Sequence, residues 1–165
     1  EDHIKPAVQQ LGSLDLWQIA MKPGKPFAYG TVRRHHGELG GMGADAAGHC
    51  HFIGLPGNPV SSYVTFLLLV RPFLLKLQGA AESVYLPPFK AMKLRADFDL
   101  PRADKRREFL RVRRNADGGL DLFANQSSGV LTSAVWGDGV VDNPAGQTIA
   151  TGDSVRFLSF SDLLA

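Results

Sequence analysis

The sequence predicts an α/β unit followed by an all-β unit, and three observations carry that expectation. Up to residue 77, short apolar strands alternate with helical spacing, whereas beyond residue 88 only short alternating segments separated by turn residues remain. Residues 79–88 lie at the change of pattern and end in the pair Pro87-Pro88, so the expected division is an α/β domain over 1–78, a linker over 79–88 and a small β-barrel domain over 89–165. The third observation is Gly54-Leu55-Pro56-Gly57-Asn58-Pro59-Val60-Ser61, which joins an apolar strand to an apolar helix through a rigid turn.

That turn is the first candidate site. The run His51 to Leu55 reads as a buried strand of an α/β sheet, and Asn58 followed by Pro59 is a helix-start signal, with Asn capping free N–H groups and Pro at the first helical position. A strand, turn and helix N-terminus aim unpaired N–H groups at one point and so suit an anion or phosphate, with Pro56, Gly57, Asn58, Pro59 and Ser61 around it. A plain strand-to-helix connection is the alternative reading of the same residues.

Residues 2–11 carry Ile4, Val8 and Leu11 at helical spacing, with Gly12 just past the end. Residues 17–21 and 26–32 read as strands, joined through Lys22-Pro23-Gly24-Lys25, a type II turn signature that sets two lysines side by side. Like charges so placed repel unless they splay into water or share an anion, which makes Lys22 and Lys25 a second half for an oxyanion site. Residues 33–49, rich in glycine and small residues, read as an exposed hairpin loop. His35, His36, His49, Cys50 and His51 match no familiar zinc spacing. The helix from Val60 is apolar on nearly every side and should be largely buried, with a kink or restart near Arg71 because Pro72 has no N–H, and an end at Gly79.

In the second unit, residues 89–98, 108–113, 120–123, 139–141 and 154–160 are expected strands, at the spacing of a barrel or sandwich, with the barrel favoured. The basic run 102–114 is interrupted by Phe109, Leu110 and Val112 and reads as a strand with one wet face, not a nucleic-acid patch. Gln126-Ser127-Ser128-Gly129 is a polar loop from which Ser128 can offer a hydroxyl, with no neighbouring base to make it a nucleophile.

Composition narrows the classes. A net charge of +2 in 165 residues gives no general case for nucleic acid or an acidic membrane surface, so basic chemistry must be local. The single Cys50 excludes an internal disulfide framework and fits the cytoplasm. The longest apolar run, 64–70, is interrupted by Arg71 and Pro72, so no membrane span is expected. Because the chain opens on Glu1 and enters structure almost at once, it is expected to be a fragment of a longer protein.

Met-Lys-Pro-Gly-Lys-Pro-Phe-Ala-Tyr-Gly at 21–30, Gly-Leu-Pro-Gly-Asn-Pro-Val-Ser at 54–61 and a β-rich tail containing Gln-Ser-Ser-Gly together resemble the C-terminal half of the MoeA family. These are the molybdopterin molybdenumtransferases, related to the gephyrin E domain. The resemblance implies the last part of a MogA-like α/β molybdopterin-binding domain before a C-terminal β-barrel. It implies insertion of molybdate into adenylylated molybdopterin with release of AMP, a divalent cation such as Mg2+, a homodimeric parent and a MogA-like partner. On the same basis Lys22 and Lys25 flank the pterin phosphate or molybdate, Pro56 and Pro59 shape the wall, Asp2 serves the metal or molybdate region and Ser128 reaches in from the barrel. Gln18 departs from the pattern, standing where many members carry lysine. Without the family's preceding regions, this piece alone is expected to be inactive. The competing readings are a non-catalytic scaffold and a MogA-like adenylyltransferase, the latter disfavoured by the tail.

Overall fold

The computed structural model describes residues 3–33, 48–86 and 90–165; Asp2 and nearly all of the loop expected at 33–49 lie outside these residues. Helix α1 (Ile4–Leu11) runs directly into β1 (Gly12–Gln18), which forms an antiparallel sheet with β3 (Pro26–Arg33) and β4 (His49–Gly54) in the order β1-β3-β4. The strand expected at 17–21 is therefore divided. Its last residue, Met21, joins Lys22 of the expected turn in the two-residue strand β2 (Met21–Lys22), which leaves the first sheet and pairs in parallel with β6 (Arg107–Arg114). Met21 drives the departure, because its side chain is buried in the core shared with the second sheet. Strand β4 is half-buried along its whole length, not fully buried, and it lies in an antiparallel sheet.

Helix α2 (Pro59–Thr65), a π-helical turn (Phe66–Val70) and α3 (Arg71–Leu77) follow one another without a break. The missing N–H of Pro72 is absorbed by the widened turn, in which the Arg71 N–H reaches the carbonyl of Phe66. Gly79 ends the helix at φ 81°, and the Ala80 N–H closes back on Leu75 O at 3.0 Å. By length and composition alone the stretch Pro59–Leu77, at a mean hydropathy of 1.5, is long and apolar enough to cross a membrane, contrary to the expected interruption at Arg71. Its apolar face is nevertheless occupied: Val60, Val64, Leu67 and Leu68 lie in a core with Phe109, Val140 and Leu158. The burial expected for the whole helix fails at its far end, where Leu74 and Leu77 are exposed. Phe73 of α3 packs edge-on against the Tyr29 and His51 rings at centroid distances of 5.7 and 5.0 Å, tying the helix to β3 and β4.

The second sheet has the order β2-β6-β8-β9-β5, formed with β5 (Ala91–Arg95), β8 (Gly139–Asn143) and β9 (Ser154–Ser159), while β7 (Leu120–Leu122) pairs with β6. A bridge between Ala96 and Leu120, with the Asp97 N–H on Leu120 O at 3.0 Å, brings the end of β5 to β7. Alternation divides the strands between two cores. Leu110, Val112, Val141, Val155 and Phe157 face one, with Ala96, Leu120 and Ile149; Phe109, Val140 and Leu158 face the other, beneath the helix. Each fully buried aliphatic or aromatic side chain contributes about 1.5–3 kcal/mol, so the helix and the second sheet are held by a substantial common core.

This packing corrects the reading of the basic run. From Glu108 to Val112 the strand β6 is buried on both faces, and Arg111 is only 1% exposed. The apolar interruptions that suggested one wet face belong to two opposite cores.

Candidate functional site

Two short sequences that lie far apart in the chain meet at the N-terminus of α2. Asn58 was expected to cap the helix, yet its side chain makes no cap bond and instead donates from Nδ2 to Ser128 Oγ at 3.0 Å. The Val60 N–H is taken by the carbonyl of Ser128 at 3.2 Å, and Pro59 has no N–H to offer. Of the donors expected at the helix N-terminus, Pro59 thus has none and that of Val60 is taken by Ser128, so the stretch supplies shape and side chains more than backbone N–H groups. The Ser62 hydroxyl closes the turn from within by donating to the carbonyl of Pro56.

A pocket of about 340 Å³ forms where these pieces meet the 22–26 turn, and it is lined by Lys22, Lys25, Asn58, Ser61, Arg106 and Ser128 among others. In this turn the Lys22–Pro23 peptide is cis, and Gly24 has φ 126°. Gly24 is required there on two counts, since an added Cβ would lie 2.6 Å from Thr65 Oγ1 and the left-handed φ strains any other residue. The two lysines part company. Lys22 Nζ turns onto the second sheet, donating to Glu108 Oε1 at 2.9 Å and lying 3.5 Å from Asp104 Oδ2. Lys25 makes no ion pair among the described residues and carries its charge exposed at the pocket rim.

Arg106 is the residue that sequence reasoning missed, because it sat in a run read as a solvated face. Its guanidinium grips Asp104 through Nε at 3.0 Å and Nη2 at 2.9 Å, and the Arg106 N–H adds a third bond at 2.9 Å. These contacts, with the nearby Lys22 charge, hold the Asp104 carboxyl far below the ordinary carboxylate range. Three cations therefore face two carboxylates, Asp104 and Glu108, leaving the pocket positive with serine hydroxyls and an amide as added donors. Gln18 lines an adjoining cavity of about 410 Å³ together with Lys25, Lys105 and Arg106.

The loop bearing Ser128 is fixed from beneath. Arg111, without a carboxylate partner among the described residues, donates to the carbonyls of Phe109 (3.1 Å) and Ser127 (3.4 Å) and to Ser133 Oγ (3.3 Å). Burial pushes its guanidinium down to about 10. The Gln126 side chain pairs with the Arg111 backbone in both directions, at 2.9 and 3.0 Å. Ser128 is consequently presented by a braced loop.

Other expected residues fall elsewhere. Pro56 and Gly57 line a separate apolar cleft of about 390 Å³ with Trp17, Phe52 and Ile53, and Pro59 is the first residue of α2. Asp2 lies outside the described residues.

Comparison with known proteins agrees with the sequence motifs. Residues 1–76 match the family described as probable molybdopterin binding domain, and residues 93–160 match the MoeA C-terminal region (domain IV). The chain is 38% identical over 110 residues to the molybdopterin molybdenumtransferase of Haemophilus influenzae, covering 67% of this chain and 23% of that protein. It is 30% identical over 150 residues to the molybdenum cofactor synthesis protein cinnamon of Drosophila melanogaster, covering 88% of this chain and 22% of that protein. The crystal structure of the molybdopterin biosynthesis moea protein from Pyrococcus horikosii superimposes with a TM-score of 0.67 at 25% identity, over 94% of this chain and 34% of that one. This chain thus spans well under half the length of these relatives, and with both of its parts matched in order it belongs to the MoeA family.

Proposed function

We propose that this chain supplies the oxyanion-binding half of a molybdopterin molybdenumtransferase, which inserts molybdate into adenylylated molybdopterin and releases AMP. The observation that carries the reading is the single pocket gathering Lys22, Lys25, Asn58, Ser61 and Ser128, chosen from separate motifs, together with Arg106. Lys25 is the mobile charge for the incoming oxyanion. Arg106, already fixed by Asp104, presents its remaining N–H donors, and Ser61 and Ser128 direct hydroxyls at the same space. Preorganised donors of this kind stabilise negative charge as it accumulates, because they need no reorganisation when the reaction proceeds. Lys22 acts differently, as the charge that keeps Asp104 and Glu108 from repelling the substrate. Pro59 starts the helix beside this pocket, while Pro56 and Gly57 line the separate apolar cleft.

The division into residues 1–78, 79–88 and 89–165 belongs to the same reading, as do the MogA-like origin of the first part and a barrel for the second. The bridge from Ala96 to Leu120 supports the barrel. Mg2+ is not assigned to the described residues. No group of three or more His, Cys, Asp or Glu is placed among them to hold a metal, and Asp104 and Glu108 are engaged by cations. We assign the cation to the carboxylates of the longer parent, with Asp2 as this chain's contribution. The homodimer, the MogA-like partner and a cytoplasmic setting are proposed on the family alone, the last with support from the free Cys50.

The test is molybdate-dependent AMP release from adenylylated molybdopterin. In the full-length parent, Lys25→Ala should lower turnover by about 100-fold or more. The isolated chain should show none; robust turnover by it, or an unaffected Lys25→Ala parent, refutes the reading.

A further inference from the structure

A second cleft, of about 340 Å³, opens between the π-helical turn and the second sheet. Its floor is apolar, made by Met21, Phe109 and Leu158 of the sheet, and its wall is Leu68 and Leu69 of the π-helical turn. The turn bulges at this point, and Leu69, at 36% exposure, is the residue it turns outward. The rim has a specific charge arrangement. Asp142, opposite Phe109 in the β6–β8 ladder, is 5% exposed and lies between two arginines.

Arg107 holds Asp142 bidentately, at 2.5 Å from Nε and 2.7 Å from Nη2, with its guanidinium 6.0 Å from the Phe109 ring centroid. Arg156 lies only within ion-pair distance, Nε being 3.4 Å from Asp142 Oδ2, and that buried Nε has no hydrogen-bond partner among the described residues. One carboxylate thus serves two guanidinium groups, which leaves a net positive charge at the mouth of an apolar cleft. The buried Nε is closed to a ligand, but the Arg156 side chain is 37% exposed, which leaves its outer N–H groups to meet an acceptor in the cleft.

We propose that this cleft binds a small organic carboxylate, its anionic head on Arg156 and Arg107 and its apolar body on Phe109, Leu158 and Leu69. The charge surplus selects the head group, because a cation is repelled and a neutral group leaves the second guanidinium without a counter-charge. The cleft shares no lining residue with the Lys25 pocket, so this site stands independently of the molybdate reading.

The test is an NMR titration of this chain with 4-phenylbutyrate, following the Leu69 and Leu158 methyl groups and the arginine Nε–H signals. The expected result is saturable shifts at these groups. Phenylbutylamine should not reproduce them, and Arg156→Gln should weaken binding about tenfold. Leu69→Glu, at a partly exposed position outside the Arg107–Asp142–Arg156 ion pairs, should abolish binding without unfolding the chain. Equal shifts from the amine, or shifts confined to Lys25 and Arg106, overturn the proposal. Concentration-dependent shifts at Leu69 and Leu158 without added ligand also overturn it, because they assign the cleft to a second copy of the chain.

Discussion

Asn58 Nδ2 donates to Ser128 Oγ at 3.0 Å across a sequence separation of 70 residues, and this bond joins the two polar motifs of the chain into one pocket wall. Because the pair is exposed, Asn58→Ala should cost less than about 1 kcal/mol of stability by denaturant unfolding. Its effect on molybdate affinity should be larger than its effect on stability, because Ser128 loses the group that orients its hydroxyl. Equal affinity in Asn58→Ala and the parent sequence would show that the loop bearing Ser128 needs no brace from the turn.

Lys22 and Glu108 form the second coupled pair. Glu108 is 3% exposed, and among the described residues only Oε1 has a partner, so Lys22→Met strands a buried carboxylate. The expected loss is roughly 2–3 kcal/mol, somewhat below that for a fully buried pair because Lys22 is partly solvated. Lys22→Met combined with Glu108→Gln should recover a good part of it. A double-mutant cycle with no coupling between the two positions contradicts the pairing.

Arg111 should be among the least tolerant positions. Arg111→Ala removes the guanidinium donors to the carbonyl of Phe109 and to that of Ser127, which keeps only the Val130 N–H, and opens a cavity between β6 and the Ser128 loop. The expected cost is about 3–5 kcal/mol by thermal or denaturant unfolding. Loss below about 1 kcal/mol means that water replaces the guanidinium without penalty.

Acid should weaken the second sheet through Asp97. Its carboxyl is lowered to about 2, first by the hydrogen bond from Arg95 and then by that from Asn115. A depressed carboxylate contributes stability that is complete above its unfolded value near 4 and is lost as pH falls toward and through the folded value. The melting temperature should therefore drop more steeply between pH 4 and 2 in the parent sequence than in Asp97→Asn. Parallel profiles would assign the acid sensitivity to other groups.

Much of the fold was legible because it rests on local pattern. All five strands expected after residue 88 occur, with ends shifted by a few residues, and Gly79 ends the helix as its position suggested. The strand division at 17–21 was not legible, because β2 is too short to show alternation and pairs with a strand some 86 positions away. Arg111 and Arg106 were hidden for a related reason. A basic run in a strand reads as wet unless a second core covers its other face, and that core is made by a helix from the first part of the chain. Within the site, Lys25, Ser61 and Ser128 were chosen from their motifs, whereas the diversion of Lys22 onto Glu108 needed three-dimensional information.

The most direct measurement is anomalous X-ray diffraction from crystals of this chain grown with molybdate. The account predicts a molybdenum peak in the pocket, within reach of Lys25, Arg106, Ser61 and Ser128, that disappears in Lys25→Ala. A peak confined to the neighbouring cavity at Lys105, or one that persists unchanged in Lys25→Ala, contradicts it.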